Sequence, residues 1–120
     1  MIFRRKTYKV HSSIVNEFNR HFNETLLPTQ MKYGARLIGR WMTKGNDDRI
    51  EIFAIWEYDS YEDYEQIEAK VRSDKEHVKR VQSWFDKMGR EKVKSSLKDN
   101  SKEDFLETTV WNNENICSKN

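Results

Sequence analysis

A single cysteine, a single proline and only four glycines punctuate this chain of 120 residues. One cysteine excludes an internal disulfide, and Cys117 sits in the polar stretch NNENICSKN, where nothing would bury it. No glycine-rich phosphate loop, paired-cysteine motif or Ser-His-Asp order is present. His11 and His21 lack metal-ligand spacing to each other or to the cysteine, so neither a metal nor a cofactor is expected. The longest apolar runs are about five residues, against the ~20 that a membrane span needs. The opening MIFRRKTYKV lacks the apolar core of a secretory signal, and a cytoplasmic location is expected. Charge of one sign is lacking too. Although 35% of residues are charged, the net charge is only +2 with the signs interspersed. That pattern excludes the one-sign field of strong nucleic-acid or membrane attraction.

What is present is alternation and helical spacing. MIFRRKTYKV reads as a first strand. Ser12 or Ser13 is positioned to cap a helix whose apolar stripe is Ile14, Val15, Phe18, Phe22 and Leu26. Pro28 should end or break that helix, and Gly34 marks a turn. ARLIGRWMT, residues 35 to 43, reads as a second strand, and KGNDD as a hairpin turn. RIEIFAIWEY, residues 49 to 58, is the third strand. Asp59 or Ser60 then caps a short helix through Val71, and Ser73 with Glu76 forms a capping box for the next. Val78, Val81, Trp84, Phe85 and Met88 make its stripe, Gly89 interrupts it, and Val93 and Leu97 support one more helical piece. DFLETTVW, residues 104 to 111, closes the fold as a fourth strand. One domain over residues 1–111 and a disordered polar tail over 112–120 are expected.

The order strand, helix, strand, strand, helices, strand predicts an α+β fold of the ferredoxin-like βαββαβ type. Its right-handed crossovers put the helices on one face of a four-stranded antiparallel sheet. The third strand then poses a problem. Ile50, Ile52, Ala54, Trp56 and Tyr58 point one way, while Glu51, Phe53, Ile55 and Glu57 point the other. A half-exposed strand should alternate apolar with polar, and this one is largely apolar on both sides. In the second strand Leu37, Gly39 and Trp41 are assigned one face, and Ile38, Arg40 and Met42 the other. A bare apolar sheet face is rarely left in water, so a homodimer packed sheet to sheet is expected, burying roughly 2,000 Å² or more. Arg5, Arg40, Glu51 and Glu57 are the charges assigned to that face.

Certain short runs are distinctive. Lys6-Thr7-Tyr8 in the first strand, Gly39-Arg40-Trp41 in the second and Ile55-Trp56-Glu57-Tyr58-Asp59-Ser60 ending the third resemble the NIPSNAP family, as does Asp74-Lys75-Glu76-His77 at a helix start. The resemblance covers roughly residues 1 to 110. His11-Ser12-Ser13 replaces the family's Lys-Pro-Gly turn, and Lys75 and His77 replace a Pro and a Trp. The resemblance implies a dimeric α/β barrel, in a superfamily that also holds the antibiotic-biosynthesis monooxygenases, and no defined reaction.

Candidate site residues follow from strand parity. Lys6, Tyr8, Trp56 and Tyr58 share one pleated face of neighbouring strands, and Trp84 on a crossover helix is placed to roof them. An aromatic pocket with a few polar handles is the usual small-molecule site, although large aromatics also make plain core. Trp41 belongs to the same set of aromatics. His77 is a candidate ligand-binding residue, because in haem-degrading relatives of the superfamily a helix histidine binds iron. RNA binding is disfavoured: carboxylates at Glu51 and Glu57 would repel phosphate from an aromatic platform. Two classes stay open. One is a dimeric module binding an apolar or aromatic small molecule, with cofactor-free or haem-related monooxygenase chemistry as its enzymatic form. The other is a non-catalytic interaction module.

Overall fold

The structure is a computed structural model that describes residues 1–43, 48–97 and 101–111. The expected turn at KGNDD, apart from Asp48, and the expected tail over 112–120 lie outside the described residues. β1 (Ile2–His11) leads through a single 3-10 turn, Ser12–Ile14, into α1 (Val15–His21). A π-helical stretch, Phe22–Leu26, continues it into α2 (Leu27–Lys32). β2 (Arg36–Met42) and β3 (Arg49–Tyr58) follow, then α3 (Tyr61–Ser73), α4 (Lys75–Met88), α5 (Arg90–Leu97) and β4 (Ser101–Leu106). The strand order is β2-β3-β1-β4, all antiparallel. This is the ferredoxin-like arrangement that the element order predicts.

The register divides the sheet into two faces. Arg4 pairs with Trp56, Lys6 with Ala54 and Tyr8 with Ile52, so the even positions of β1 and β3 share the helix-covered side. Along β3, Ile52, Ala54, Trp56 and Tyr58 are buried and the odd positions only half-buried. In β2 strict alternation fails. Leu37 pairs with Trp56 but Gly39 with Ile55, so Ile38 is the extra residue of a β-bulge. The bulge corrects the faces expected for this strand. Leu37, Arg40 and Met42 stand on the helix side, and Gly39 and Trp41 on the open side. Arg40 is therefore not among the charges of the open face.

Local chemistry explains the element ends. β1 runs on to His11, which shifts the cap from Ser12 or Ser13 to His11, whose Nδ1 accepts from the Ser13 N–H at 3.1 Å. Ser60 caps α3 as expected, accepting from the Asp63 N–H at 3.1 Å. The next cap is Asp74 rather than Ser73. Asp74 has the extended backbone a cap requires, and its carboxylate takes the His77 N–H at 3.0 Å. Pro28 does not end its helix. A proline lacks an N–H and crowds the carbonyl four residues earlier. Here the preceding turn widens, with the Leu27 N–H bonding the Phe22 carbonyl, and Pro28 falls in the first turn of α2. Gly34, at φ 106°, then turns the chain into β2.

β4 occupies Ser101–Leu106 instead of residues 104–111. Its register is pinned by Arg4 to Glu103 at 2.7 Å and Arg5 to Asp104 at 3.1 Å. Leu106 already faces Phe3, so β-prone residues further on run past the start of β1 and find no ladder partner.

The helices cover one side of the sheet with two apolar clusters. Phe22, Ala35, Ala54, Trp56, Tyr58, Ile67 and Val71 form one. Val10, Ile14, Val15, Phe18 and Ile52 form the other, with Tyr8, Trp84 and Leu97 packed on it. On the open side Trp41 and Phe53 meet at 5.5 Å, and Trp41 is 48% exposed.

Candidate functional site

The two clusters do not meet everywhere, and the gap between them is a cavity of about 240 Å³. Phe22, Ala54 and Trp56 come to its wall from one cluster, Phe18, Ile52 and Tyr8 from the other. Its size lies just below the roughly 300–1,000 Å³ of pockets for drug-sized ligands, which suits a single ring with a short polar substituent.

Arg40 enters this cavity because of the bulge at Ile38. Its guanidinium lies 4.1 Å from the Phe22 ring centre and 5.5 Å from that of Phe18. Nη1 donates to Asn19 Oδ1 at 2.8 Å, while Nη2 is buried without a hydrogen-bond partner. Burial pulls its pKa down to about 10, so it remains a cation at neutral pH. Such a group, flanked by aromatic faces and lacking a carboxylate partner, is poised for an anion.

The other cations differ. Burial opposes the charge of Arg4, but its hydrogen bond to Glu103 and the neighbouring tyrosines hold its pKa above the usual value. Tyr64 Oη donates to the same Glu103 oxygen at 2.9 Å, so the charge of Arg4 is satisfied. Lys6 places Nζ 5.5 Å from the Tyr8 ring centre. Burial raises the pKa of Tyr8, keeping the phenol protonated.

Two further orphaned atoms belong to residues that line the cavity. Gln30 donates through Nε2 to Glu68 Oε1 at 3.1 Å, and its own Oε1 is buried and unpartnered. His77, 8% exposed, has a buried Nδ1 without a partner. Burial lowers its pKa, which keeps the imidazole neutral. Among the described residues, five side chains hold a buried polar atom without a partner, and three of them (Gln30, Arg40 and His77) line this cavity. Orphaned buried polar atoms are uncommon, and their concentration at one place marks it.

Of the six candidate residues, the structure brings Lys6, Tyr8, Trp56 and His77 together around the cavity. Tyr58 shares their face but is fully buried against Tyr64, 5.1 Å away, outside the cavity wall. Trp84 does not roof the site. It stacks on His21 at 4.2 Å and faces a separate groove between α1 and α4. Trp41 is on the open side. Arg4, Gln30 and Glu68 join the wall without having been singled out, and Arg40 joins it although it was assigned to the open face. Arg4 shares the parity of Lys6 and was open to the same argument. Gln30 follows Pro28, where the helix was expected to fail, and Glu68 sits in a carboxylate-rich stretch that reads as a solvated face.

Solved structures with this arrangement exist. An uncharacterized NIPSNAP domain protein from Burkholderia xenovorans is 21% identical at a TM-score of 0.67, covering 93% of this chain and 98% of its own. A NIPSNAP family protein from Agrobacterium tumefaciens is 20% identical at 0.68, covering 93% and 96%. More distantly, SnoaB, a cofactor-independent oxygenase from Streptomyces nogalater, shares the fold at 10% identity and a TM-score of 0.52, covering 91% and 93%. No curated protein matches the sequence. The family model described as NIPSNAP matches residues 3–98, from β1 through α5 and so across the whole cavity wall, and the chain belongs to the NIPSNAP family.

Proposed function

We propose that this protein is a cytoplasmic homodimer that binds a small aromatic anion in the cavity between sheet and helices of each subunit. The carrying observation is the Arg40 guanidinium, enclosed between Phe18 and Phe22 with a free Nη2 and no acidic partner. Aromatic walls favour a ring, and the cation favours a carboxylate or phenolate at one edge of it. Lys6 adds a second positive charge, while the charge of Arg4 is already met by Glu103. Among the described residues no helix is long and apolar enough to cross a membrane.

The test is indole fluorescence titrated with phenylacetate and phenylpyruvate, and with phenylacetamide as the neutral control. Saturable quenching by the acids is expected, with the amide roughly 10–100-fold weaker, because charge-assisted hydrogen bonds contribute about 1.5–3 kcal/mol. Arg40→Met should weaken the acids by a similar factor. Trp56→Phe should remove most of the signal and Trp84→Phe little of it. Equal affinity for acid and amide would overturn the anion reading.

One observation favours a second reading, a cofactor-free oxygenase: the fold shared with SnoaB. Oxygen uptake on adding an electron-rich phenol separates it from binding alone.

A further inference from the structure

We propose that His77 is a catalytic base: an acidic carbonyl compound bound in the cavity, of the arylpyruvate class, gives a C–H proton to its imidazole while Arg40 holds the enolate oxygen. The proposal rests on the anion-binding reading above and assigns it a reaction, keto–enol tautomerisation.

Three observations converge. The first is composition of the wall. A base, a cation without a carboxylate and an amide acceptor line one cavity, and each retains an unused polar atom. Orphaned atoms in plain core packing would be scattered. The second is elimination among the other titratable groups there. Tyr8 is held protonated by burial, and Glu68, which accepts from Gln30 through Oε1, is a carboxylate whose charge would repel an acidic substrate. Lys6 and Arg40 are cations. A neutral imidazole is the proton acceptor that sets no second negative charge against an acidic substrate. The third is positioning. His77 is the third residue of α4, and its own backbone N–H is held by the Asp74 carboxylate. Asp74 is anchored in turn, accepting from Tyr33 Oη at 2.7 Å and from Lys32 Nζ at 3.2 Å. The imidazole therefore projects from a fixed helix start.

The step balances without an oxidant or a cofactor. The C–H bond beside the carbonyl breaks, and its proton goes to the imidazole. The electron pair forms a C=C bond, and the carbonyl π pair moves onto oxygen beside the guanidinium. Return of the proton to oxygen gives the enol, and return to carbon regenerates the keto form. The amide oxygen of Gln30 can accept from the enol hydroxyl. Stabilising charge that develops on oxygen is the largest contribution a site of this kind makes.

The groups around His77 are Asp74, Glu68, Arg80 and His21. The carboxylates favour its protonation, Arg80 disfavours it, and burial outweighs them all. Proton transfer should therefore be fully active at neutral pH and fall as acid protonates the imidazole.

The experiment follows exchange of the benzylic protons of phenylpyruvate for deuterium by proton NMR, with binding measured in parallel by fluorescence. Exchange above the buffer rate, saturating at the fluorescence-derived Kd, is expected. His77→Gln should lower it at least 100-fold with affinity changed less than about threefold, general-base catalysis being worth roughly 10²–10⁴. His77→Asn serves if the glutamine variant does not fold. Wild-type exchange in a His77 variant that binds overturns the proposal. Binding without exchange above buffer also overturns it and leaves the anion-binding reading intact. Absence of binding by phenylpyruvate and by phenylacetate alike removes both.

Discussion

His21 and Trp84 stack at 4.2 Å with their rings 9° apart, and this pair sets a pH dependence. Burial, with a smaller contribution from His77, holds the His21 pKa down to about 4. An unfolded histidine titrates near 6.5, so the unfolded chain takes up the proton first. Stability is then full at neutral pH and declines as pH falls from about 6.5 towards about 4, by on the order of 2–3 kcal/mol from this residue. Urea denaturation at pH 7.0 and 4.5 should show that loss, and His21→Gln should remove most of the difference between the two. Equal pH dependence in both proteins would contradict the assignment. Glu103 acts over a lower range. Burial raises its pKa, but bonds from Arg4 and Tyr64 outweigh that and leave it depressed. Its contribution is present above the ordinary carboxylate pKa and is lost as pH falls through the lowered one. A second residue-scale device is Gly39. Any Cβ there would overlap the Trp41 ring, so the glycine is the floor on which that indole rests.

The bulge in β2 does more for the site than any other local feature. Bulges re-aim side chains, and this one carries Arg40 from the open face into the cavity. Deleting Ile38 should restore simple alternation and leave Arg40 opposite Ala54, on the helix side. The expected result is a folded protein with a near-native far-UV spectrum that still distinguishes phenylacetate from phenylacetamide. Loss of the preference for the acid would mean that the register of Arg40 alone does not set the reading of charge. The same bulge explains where sequence reasoning succeeded and failed. β1 and β3 have an unbroken period of two, so their faces, and with them Lys6, Tyr8 and Trp56, were legible. LIGRWM is apolar at both parities, so nothing in it betrays an inserted residue. The π-helical stretch failed to announce itself for a related reason. Pro28 signals a break, while the accommodation lies one turn earlier, in residues of ordinary helical pattern. The Asp74 cap was missed by one position because Ser73 offers the same chemistry at a neighbouring place. β4 was displaced because β propensity marks what can be a strand, whereas pairing with β1 decides what is.

At the scale of the molecule, the open face remains to be covered. Trp41 and Phe53 meet there at a tilt of 35°, with Ile55 two positions along β3 from Phe53 and Phe3 further along the sheet, opposite Glu57. Two of the charges expected on that face are already neutralised within the chain, Arg5 by Asp104 and Glu57 by Arg36 at 2.7 Å. An apolar strip bordered by ion pairs made within the chain suits a second copy. Phe53→Asp should convert the proposed dimer to monomer or to aggregate in sedimentation velocity, since it would bury an unpaired carboxylate. A wild-type dimer from that variant would put the interface elsewhere. The pairing of β1 with β4 also has a kinetic meaning. Its ion pairs, Arg4 with Glu103 and Arg5 with Asp104, join residues 99 apart in sequence, and β4 holds to the sheet by one edge only. Loop closure of that length costs entropy that later contacts must repay, so β4 is the strand expected to dock last and to open first. Amide protons of β4 should then exchange with solvent through partial openings that leave β3 protected. Glu103 would leave with β4, and Arg4, stripped of its carboxylate at the cavity wall, would for that interval join Arg40 and Lys6 as a further positive charge facing the cavity.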